Sequence, residues 1–409
     1  MERVVLRYKN SIISGLVINE LNDLVTIKSS NGYNLTFDRS EIEFLERKNV
    51  EYQNQRKMEE IEKGSGSKKI SVLATGGTIA SRVDYETGAV SPVSDPELIF
   101  GGSDILSKFT ISVKPIMNQF SENLRPSDWI TIGERVAEES RKADGIVVAH
   151  GTDTMSYTAS ALAFMFEESR TPIIFVGSQR SSDRPSSDSR ENIEAAINFA
   201  STDFGEVGIS MHRSTSDGMV SLIRSVRSRK MHTSRRDAFE SIGTPPVGLY
   251  DGSIRFLGDY RRVSDNIKFR STMDDKVALI YFHPALSADD LENMIEGKHA
   301  AVIMGTGLGH IARDLIPVLK RFVSNGSYII MTSQCIYGST NLNVYSTGRE
   351  LLSAGVIEAG DMVPEVAYVK TMYLLGQYPY EDFVDLFRKN MRGEILERDQ
   401  PFESLKLVG

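Results

Sequence analysis

From Lys68 onward, short apolar runs alternate with segments of helical periodicity, and this alternation constrains the fold more than any other feature of the sequence. The runs at 70–74, 145–149 and 172–176 are continuously apolar, which is typical of strands buried on both faces. A segment at 126–143 has its apolar residues at helical spacing. Strands that alternate with helices predict an α/β fold with a largely parallel, doubly wound sheet.

Turn signals and changes in composition divide the chain into four segments. Residues 1–47 hold short β-rich stretches and an Asn31-Gly32 hairpin signal, which predict a small, SH3-like β-barrel that either binds a partner or only buries surface. Residues 48–67 are polar, permit a helix and end in a flexible linker at 64–67. Two α/β domains are predicted to follow, at 68–262 and 263–409.

Composition excludes several classes of protein. The net charge of −8 provides no overall basic surface for nucleic acid. The single cysteine, Cys335, excludes an internal disulfide framework and a multi-cysteine zinc site, and it suits a reducing compartment. No apolar run reaches the roughly 18 residues that a membrane span needs, and the first residues do not form a secretory signal. We therefore expect a cytoplasmic protein without membrane contact.

Several other patterns are weak signals. The sequence GTGLGH at 305–310 lacks the third glycine of a dinucleotide fingerprint at its usual spacing, and a phosphate-binding P-loop is absent from the sequence. The cationic run at 224–236 suits either a salt-bridged face or contact with RNA phosphates, and we favour the salt-bridged face. The six histidines show no helical metal-binding pair, so no metal site is predicted.

Two strands end in residues that can carry chemistry. The first runs into Gly76-Gly77, flanked by the two hydroxyl residues Thr75 and Thr78. The second, at 145–149, runs into the sequence HGTDT at 150–154. The carboxyl ends of strands in an open α/β sheet are where ligands bind, so two such ends on neighbouring strands would face one crevice. On this pattern alone, either of the two threonines is an eligible nucleophile.

A threonine nucleophile needs activation, because its hydroxyl is weakly nucleophilic at its ordinary pKa. The candidates are a lysine next to Thr152 and a tyrosine held over Thr78 by a lid. The segment 85–88, YETG, has the polar, glycine-ended composition of a lid, or of an ordinary surface loop. Asp153 has three possible roles: to bind a substrate ammonium, to orient Thr152 or to cap the next helix.

The sequences ATGGTIA at 74–80 and HGTDTM at 150–155 resemble the two signature motifs of the bacterial-type L-asparaginase family, and the resemblance covers residues 68–409. It implies two asparaginase-type α/β domains with mainly parallel sheets, of which the first is catalytic. It further implies that Thr78 is the nucleophile and that Thr152 and Asp153 form a group with Lys230, which lies in SRKMHTSRRDAFES at 228–241.

The resemblance also implies how substrate is held. SENL at 121–124 matches the loop that grips the α-carboxylate and α-amine, which assigns Ser121 and Glu122 to substrate binding. Tyr85 would be the lid tyrosine, although its loop is shorter than in secreted relatives. Gly77 and Gly151 would border the substrate, where nearby backbone N–H groups are placed to stabilise an oxyanion.

A β-rich module ahead of an asparaginase-like body is similar to the asparaginase-like subunits of archaeal tRNA-dependent amidotransferases. This implies a glutaminase that releases ammonia from glutamine or asparagine, for conversion of Glu-tRNA(Gln) to Gln-tRNA(Gln) by a larger tRNA-binding partner, the E-type subunit of such enzymes. It also implies a homodimer, indirect contact with tRNA(Gln), no cofactor in this chain, and ATP and Mg on the partner. The alternatives are a free-standing L-asparaginase with an accessory domain and an inactive scaffold or RNA-binding subunit.

Overall fold

The structure, a computed structural model, describes residues 2–29, 33–49, 60–76, 81–83, 90–92, 104–180 and 186–397. Within these ranges, no helix is both long enough and apolar enough to cross a membrane.

The first 49 residues contain one antiparallel sheet with the strand order β4-β3-β2-β1-β5. Its strands are β1 (Glu2–Tyr8), β2 (Ser11–Leu21), β3 (Leu24–Ser29), β4 (Asn34–Asp38) and β5 (Ile42–Asn49). Alternate residues of β1 and β3 point to a small core of Val4, Leu6, Val25 and Ile27. The β-rich stretches at 11–19, 24–28 and 33–37 predict β2 to β4 within two residues at each end, but the sequence gives no such signal for β1 and β5, where charged residues dilute the apolar pattern.

Closure of this sheet into the predicted SH3-like barrel is not confirmed. In the described residues, β4 pairs only with β3, and β5 pairs only with β1, so the two edge strands are not joined to each other. A barrel requires its first and last strands to be hydrogen-bonded. What the described residues form is an open, five-stranded antiparallel sheet.

The middle of the chain builds a large nine-stranded sheet with the order β19-β18-β15-β14-β13-β11-β7-β10-β6. Its strands are β6 (Ile61–Lys63), β7 (Lys68–Ala74), β10 (Phe109–Pro115), β11 (Gly145–Ala149), β13 (Ile173–Val176), β14 (Val207–His212), β15 (Val220–Arg224), β18 (Gly248–Tyr250) and β19 (Ile254–Phe256). Shorter pairs join β8 (Ser81–Val83) to β9 (Val90–Pro92), β16 (Ser228–Lys230) to β17 (Phe239–Ser241), and β12 (Phe166–Glu168) to β20 (Lys268–Phe269). The helices in this middle part of the chain are α1 (Ile105–Lys108), α2 (Pro126–Glu139), α3 (Met155–Met165) and α4 (Ser189–Ala200).

The large sheet is mixed, which corrects the prediction of a mainly parallel sheet here. Its centre, from β10 through β7, β11 and β13 to β14, is parallel, whereas the pairs β10–β6, β14–β15, β15–β18 and β18–β19 are antiparallel. The connections from β14 to β15 and from β18 to β19 are short and contain no helix, so no helical pattern in the sequence marks the reversal of the chain there. One antiparallel edge strand, β6, lies within the segment 48–67 that we predict to be a linker.

The last part of the chain forms a parallel sheet in the order β21-β22-β23-β24. Its strands are β21 (Val277–Tyr281), β22 (Ala300–Gly305), β23 (Tyr328–Ser333) and β24 (Ile357–Glu358), and its helices are α5 (Ala288–Ile295), α6 (Ile316–Ser324), α7 (Ser346–Ser353), α8 (Pro364–Gln377) and α9 (Phe383–Phe387). The sequence pattern at 380–391 also predicts a helix, but this prediction is wrong beyond Phe387, where α9 ends. The buried Lys370 Nζ donates to the carbonyl oxygens of Phe387 and Lys389, at 2.8 and 2.6 Å, and so takes acceptors that a longer helix would use.

A shared core joins the two sheets. Side chains from one face of the large sheet and from α2 and α3 pack with residues of β22, β23 and α8. A second core fills the opposite face of the large sheet, against α1 and α4. The central strand β11 is buried along its whole length, as its continuous apolar sequence predicts.

Candidate active site

Three parallel strands end side by side at one edge of the large sheet. Ala74, the last residue of β7, pairs in register with Pro115 at the end of β10 and with Ala149 at the end of β11. The two glycine-bordered stretches that the sequence singled out therefore follow neighbouring strands, as expected. The segment containing Ser121 follows the third strand, so all three connections lie at the same carboxyl edge.

Thr75 has a structural position. Its side chain is buried, and both its backbone N–H and its hydroxyl donate to the carbonyl oxygen of Ala149, at 3.0 and 3.1 Å. Gly76 follows with φ of +116°, and a Cβ there would lie 2.4 Å from the Gln119 carbonyl oxygen. Thr75 thus holds the ends of β7 and β11 together, and the chain can turn next to β10 only with glycine at position 76.

The connection after β11 is fitted closely to the connection after β10. A Cβ on Gly151 would lie 2.8 Å from Ser121 Cβ and 2.9 Å from Ser121 Oγ. The Thr154 hydroxyl donates to the Ser121 carbonyl oxygen at 2.7 Å, and Ser121 itself is buried. The predicted loop residue Ser121 is therefore held in place by HGTDT, whereas Glu122 is exposed. Thr154 is the residue of this contact that we did not predict, although it stands within the motif.

Lys230 lies against Thr152 and Asp153. Its Nζ donates to Thr152 Oγ1 at 2.9 Å and to Asp153 Oδ1 at 2.8 Å. Lys230 ends the short strand β16, whose partner β17 places Phe239 opposite it. The lysine side chain is 15% exposed and the Asp153 side chain is 65% exposed, so the pair lies at the rim of the site rather than in the core. The structure thus brings Lys230 together with two predicted residues that lie 77 and 78 positions away in the chain.

Asp153 is not the helix cap that the simplest interpretation of the motif expects. The N-cap of α3 is Thr154, and the Asp153 carboxylate is directed instead to Lys230. On the other side of Thr152, a Cβ on Gly177 would lie 2.7 Å from Thr152 Cγ2. Thr152 is therefore packed by the end of β13 on its methyl side and hydrogen-bonded by Lys230 on its hydroxyl side.

His150 is a neutral side chain that holds the backbone of the connection after β11. It is buried, and burial lowers its pKa to about 4. Its Nδ1 lies 2.6 Å from the carbonyl oxygen of Gly151. Because that oxygen can only accept, Nδ1 carries the proton and donates it. This contact fixes the backbone at the residue that packs on Ser121.

Three of the predicted site residues lie outside the described residues: Thr78, Gly77 and Tyr85. Their assignments as nucleophile, substrate-binding residue and lid tyrosine stay predictions. The predictions for Thr152, Asp153, Lys230, Ser121, Glu122 and Gly151 refer to described residues.

The cationic side chains of the run at 224–236 form ion pairs with carboxylates elsewhere in the chain. Each of its cationic side chains has a carboxylate partner, in the pairs Arg224–Glu206, Arg227–Asp361, Arg229–Glu365, Lys230–Asp153, Arg235–Asp237 and Arg236–Asp217. A salt-bridged arrangement accounts for the run better than contact with RNA phosphates does. Similarly, the GTGLGH segment closes on itself, since Thr306 and His310 exchange backbone hydrogen bonds of 2.8 and 2.9 Å.

Comparison with known families decides which fold these strand ends belong to. Residues 69–261 match the family model for the asparaginase N-terminal domain, and residues 276–387 match that for the glutaminase/asparaginase C-terminal domain. The chain belongs to the asparaginase family. Among solved structures, a thermostable L-asparaginase from Thermococcus kodakarensis superposes with a TM-score of 0.74 at 32% identity, covering 81% of this chain and all of the other. L-asparaginase I from Vibrio cholerae gives 0.69 at 30% identity, covering 80% and 99%.

Sequence identity is higher to relatives that match the whole chain, N-terminal extension included, than to these two asparaginases. The D subunit of glutamyl-tRNA(Gln) amidotransferase from Thermoplasma acidophilum is 75% identical over 407 residues, which is 100% of both chains. The corresponding D subunit from Thermoplasma volcanium is 63% identical over 98% of this chain and 99% of its own. The family resemblance inferred from the two motifs is therefore confirmed, and the similarity to these D subunits includes the N-terminal extension.

Proposed function

We propose that the chain is a glutamine-hydrolysing amidotransferase subunit that releases ammonia for the conversion of Glu-tRNA(Gln) to Gln-tRNA(Gln). The observation that carries this proposal is the contact of Lys230 with both Thr152 and Asp153 at the shared edge of β7, β10 and β11. Full-length similarity to amidotransferase D subunits supports the amidotransferase setting rather than that of a free-standing asparaginase.

In the proposed first step, Thr78 Oγ1 attacks the side-chain carboxamide carbon of glutamine. The resulting tetrahedral oxyanion needs preorganised donors, and backbone N–H groups near Gly77 and Thr152 are assigned to it. The site lies just before the N-terminus of the 11-residue helix α3, whose dipole favours negative charge there. The proton lost by Thr78 Oγ1 is passed to the leaving nitrogen, so that collapse of the intermediate breaks the C–N bond, releases ammonia and leaves a glutamyl ester on Thr78.

In the proposed second step, water hydrolyses the ester and yields glutamate. Lys230, Thr152 and Asp153 form the group that moves the protons. When the amine of Lys230 is neutral, it can accept a proton through Thr152, and the Asp153 carboxylate then stabilises the ammonium that forms.

The setting within a larger enzyme follows from the relatives and is part of the proposal. A protein named as one subunit of an amidotransferase works with other subunits, and we place the tRNA-binding partner, its ATP and its Mg outside this chain. Ser121 and Glu122 are assigned to the α-carboxylate and α-amine of glutamine, and a lid carrying Tyr85 is assigned to cover Thr78. We further propose that the chain is a homodimer through its asparaginase-like part, and that it works in the cytoplasm. The N-terminal sheet is assigned to contact with the partner.

The direct test of the nucleophile compares Thr78→Ala with Thr131→Ala, an exposed threonine on α2 that serves as the matched control. Glutamine-dependent formation of Gln-tRNA(Gln) by the reconstituted assembly should be lost in Thr78→Ala, and supplied ammonium should restore it. Thr131→Ala should behave as wild type. If Thr78→Ala keeps glutamine-dependent transamidation, the chain is a scaffold and the proposal is wrong.

A further inference from the structure

A second polar cluster lies at the same edge of the large sheet, outside the candidate active site. Its members are Glu191 in the first turn of α4, His212 at the end of β14, and Asp217 in the turn that leads to β15. One nitrogen or oxygen atom from each of the three lies within 4.8 Å of the other two. The strand β13 separates this cluster from β11 and its active-site connection.

The hydrogen bonds around Asn192 fix the protonation pattern of His212. The Asn192 amide nitrogen donates to the Gly177 carbonyl oxygen and to Asp188 Oδ2, both at 3.0 Å. Its oxygen, Oδ1, lies 2.6 Å from His212 Nδ1 and therefore accepts a proton from it. In a neutral imidazole with Nδ1 protonated, the lone pair is on Nε2.

The Nε2 atom that carries this lone pair lies close to the carboxylates of Glu191 and Asp217. His212 is 1% exposed, and its Nε2 makes no hydrogen bond with any described residue. Glu191 Oε2 is 3.3 Å away, but the two atoms do not have hydrogen-bond geometry. Burial lowers the pKa of His212, and the positive charge of Arg236 also lowers it. The negative charges of Asp188, Glu191 and Asp217 act to raise this pKa, but the effect of burial is larger. A cation between these two acceptors would satisfy both of them.

We propose that Glu191, His212 and Asp217 bind one divalent first-row transition-metal ion. Metal–ligand distances of about 2.0–2.1 Å in a tetrahedral site place neighbouring ligand atoms about 3.3 Å apart, which is the separation between His212 Nε2 and Glu191 Oε2. An imidazole ligand favours ions such as Zn²⁺, Fe²⁺ or Ni²⁺ over Mg²⁺ or Ca²⁺. Asn192 has the position of the outer partner that orients a metal-bound histidine.

The two carboxylates are held for this role by other groups. Glu191 Oε2 accepts a hydrogen bond from the backbone N–H of Gly218 at 2.9 Å, and Asp217 Oδ1 is paired with Arg236. A carboxylate oxygen has two lone pairs, so Glu191 Oε2 can accept from Gly218 and still bind an ion, while Asp217 has a second oxygen and Arg236 offsets part of the negative charge. A bound ion would tie the 213–219 turn to α4. Through Asn192 it would also support Gly177, which packs on Thr152.

The test is a calorimetric titration of the chelator-treated full chain with Zn²⁺. We expect one ion per chain, a Zn²⁺-dependent rise in the melting temperature, and little response to Mg²⁺. Because Glu191 and Asp217 are 39% and 69% exposed, Glu191→Gln and Asp217→Asn should fold. Each should weaken Zn²⁺ binding at least 10-fold.

Two control variants separate this site from others on the chain. Glu134→Gln removes a charge from an exposed position on α2, and Cys335→Ser removes the exposed thiol, and both should bind Zn²⁺ as wild type does. Absence of saturable binding would overturn the proposal. Unchanged affinity in both Glu191→Gln and Asp217→Asn, or loss of binding in Cys335→Ser, would overturn it as well. The melting temperature of each variant without metal confirms that it is folded.

Discussion

The geometry around Lys230 is the most specific feature at the scale of single residues. One ammonium contacts a hydroxyl and a carboxylate from the same tripeptide, Gly151-Thr152-Asp153, at distances of 2.9 and 2.8 Å. A group with this arrangement can take a proton and give it back without rearrangement, because both partners are already in contact. This property makes Lys230 the first target for substitution.

Lys230→Ala should lower kcat/KM for glutamine hydrolysis by about 10²–10⁴-fold, the usual range for losing a general acid–base group. Steady-state ammonia release by the reconstituted assembly measures it. Lys142→Ala is the matched control, since Lys142 is an exposed lysine that is also paired with a carboxylate, that of Glu138. A loss of less than threefold in Lys230→Ala would remove Lys230 from the proposed mechanism.

Gly151→Ala tests the close fit between the two connections. The added Cβ would lie 2.8 Å from Ser121 Cβ, so the connections must separate, at a cost of about 1–3 kcal/mol in the free energy of unfolding. We expect KM for glutamine to rise, because Ser121 is assigned to the substrate. Denaturant unfolding and steady-state kinetics measure the two effects. Gly258→Ala should be neutral, since a Cβ there meets no atom of the described residues within 4 Å.

The buried His150 makes stability depend on pH. Its pKa falls from 6.5 to about 4 on folding, so between these values the unfolded chain binds the proton that the folded chain does not. Stability is therefore full above pH 6.5 and falls as the pH drops toward 4, by roughly 3 kcal/mol from this residue. When the free energy of unfolding is measured by denaturant titration from pH 4.5 to 7.5, it should change less steeply with pH in His150→Asn than in the wild type. The exposed His283→Asn should keep the wild-type slope, and an equal slope in His150→Asn would contradict this account.

At the scale of elements, the position of β16 depends on the C-terminal part of the chain. Arg227, three residues before Lys230, is fully buried and donates to Asp361 Oδ2 at 2.6 Å, to the Asp361 carbonyl oxygen at 3.1 Å and to the Gly393 carbonyl oxygen at 3.0 Å. The strand that carries Lys230 is thus anchored to residues more than 130 positions away in sequence. An anchor of this kind links the placement of Lys230 to the packing of the two α/β parts.

Asp361→Asn should destabilise the protein by about 3–5 kcal/mol, because it leaves the buried guanidinium of Arg227 without a counter-charge. It should also lower glutaminase activity at temperatures where the protein is still folded. Glu350→Gln is the control: it breaks the exposed pair of Arg313 and Glu350, whose side chains are 62% and 45% exposed, and should change stability by less than about 1 kcal/mol. Equal stability of the two variants would show that β16 does not depend on this anchor.

Individual elements show how far the sequence alone could reach. The strand Gly145–Ala149 was predicted with its observed bounds, because a continuous apolar run between Asp144 and His150 defines a buried strand locally. The antiparallel strands of the large sheet were not predicted as such, since strand direction depends on tertiary pairing that leaves no periodic signal. The early end of α9 likewise depends on Lys370, whose position in the chain gives no sign that it would contact Phe387.

The same limit applies to the candidate site. The two motifs indicated the strand ends that form the candidate site, and the resemblance to a family supplied Lys230. The contact of Thr154 with Ser121 and the packing of Gly177 on Thr152 could not be predicted, because they depend on which strands are neighbours in the sheet. The Glu191, His212 and Asp217 cluster was missed for the same reason, since its ligands come from three separate elements.

At the scale of the whole molecule, the chain joins an asparaginase body to an N-terminal sheet. The asparaginase from Thermococcus kodakarensis is covered completely by 81% of this chain, so the remaining residues are additional to that fold. The relatives from Thermoplasma acidophilum and Thermoplasma volcanium, which match nearly the full chain including this extension, are named as amidotransferase D subunits. The central claim is therefore that this asparaginase-type site works for a partner.

The measurement that tests this claim most directly is ammonia release from glutamine by the purified chain, alone and then with its larger tRNA-binding partner and Glu-tRNA(Gln). We expect slow hydrolysis by the chain alone and strong stimulation when partner and Glu-tRNA(Gln) are both present, with the stimulation lost in Lys230→Ala. Rapid hydrolysis of glutamine or asparagine by the chain alone, unchanged by partner and tRNA, would contradict the account and indicate a free-standing asparaginase.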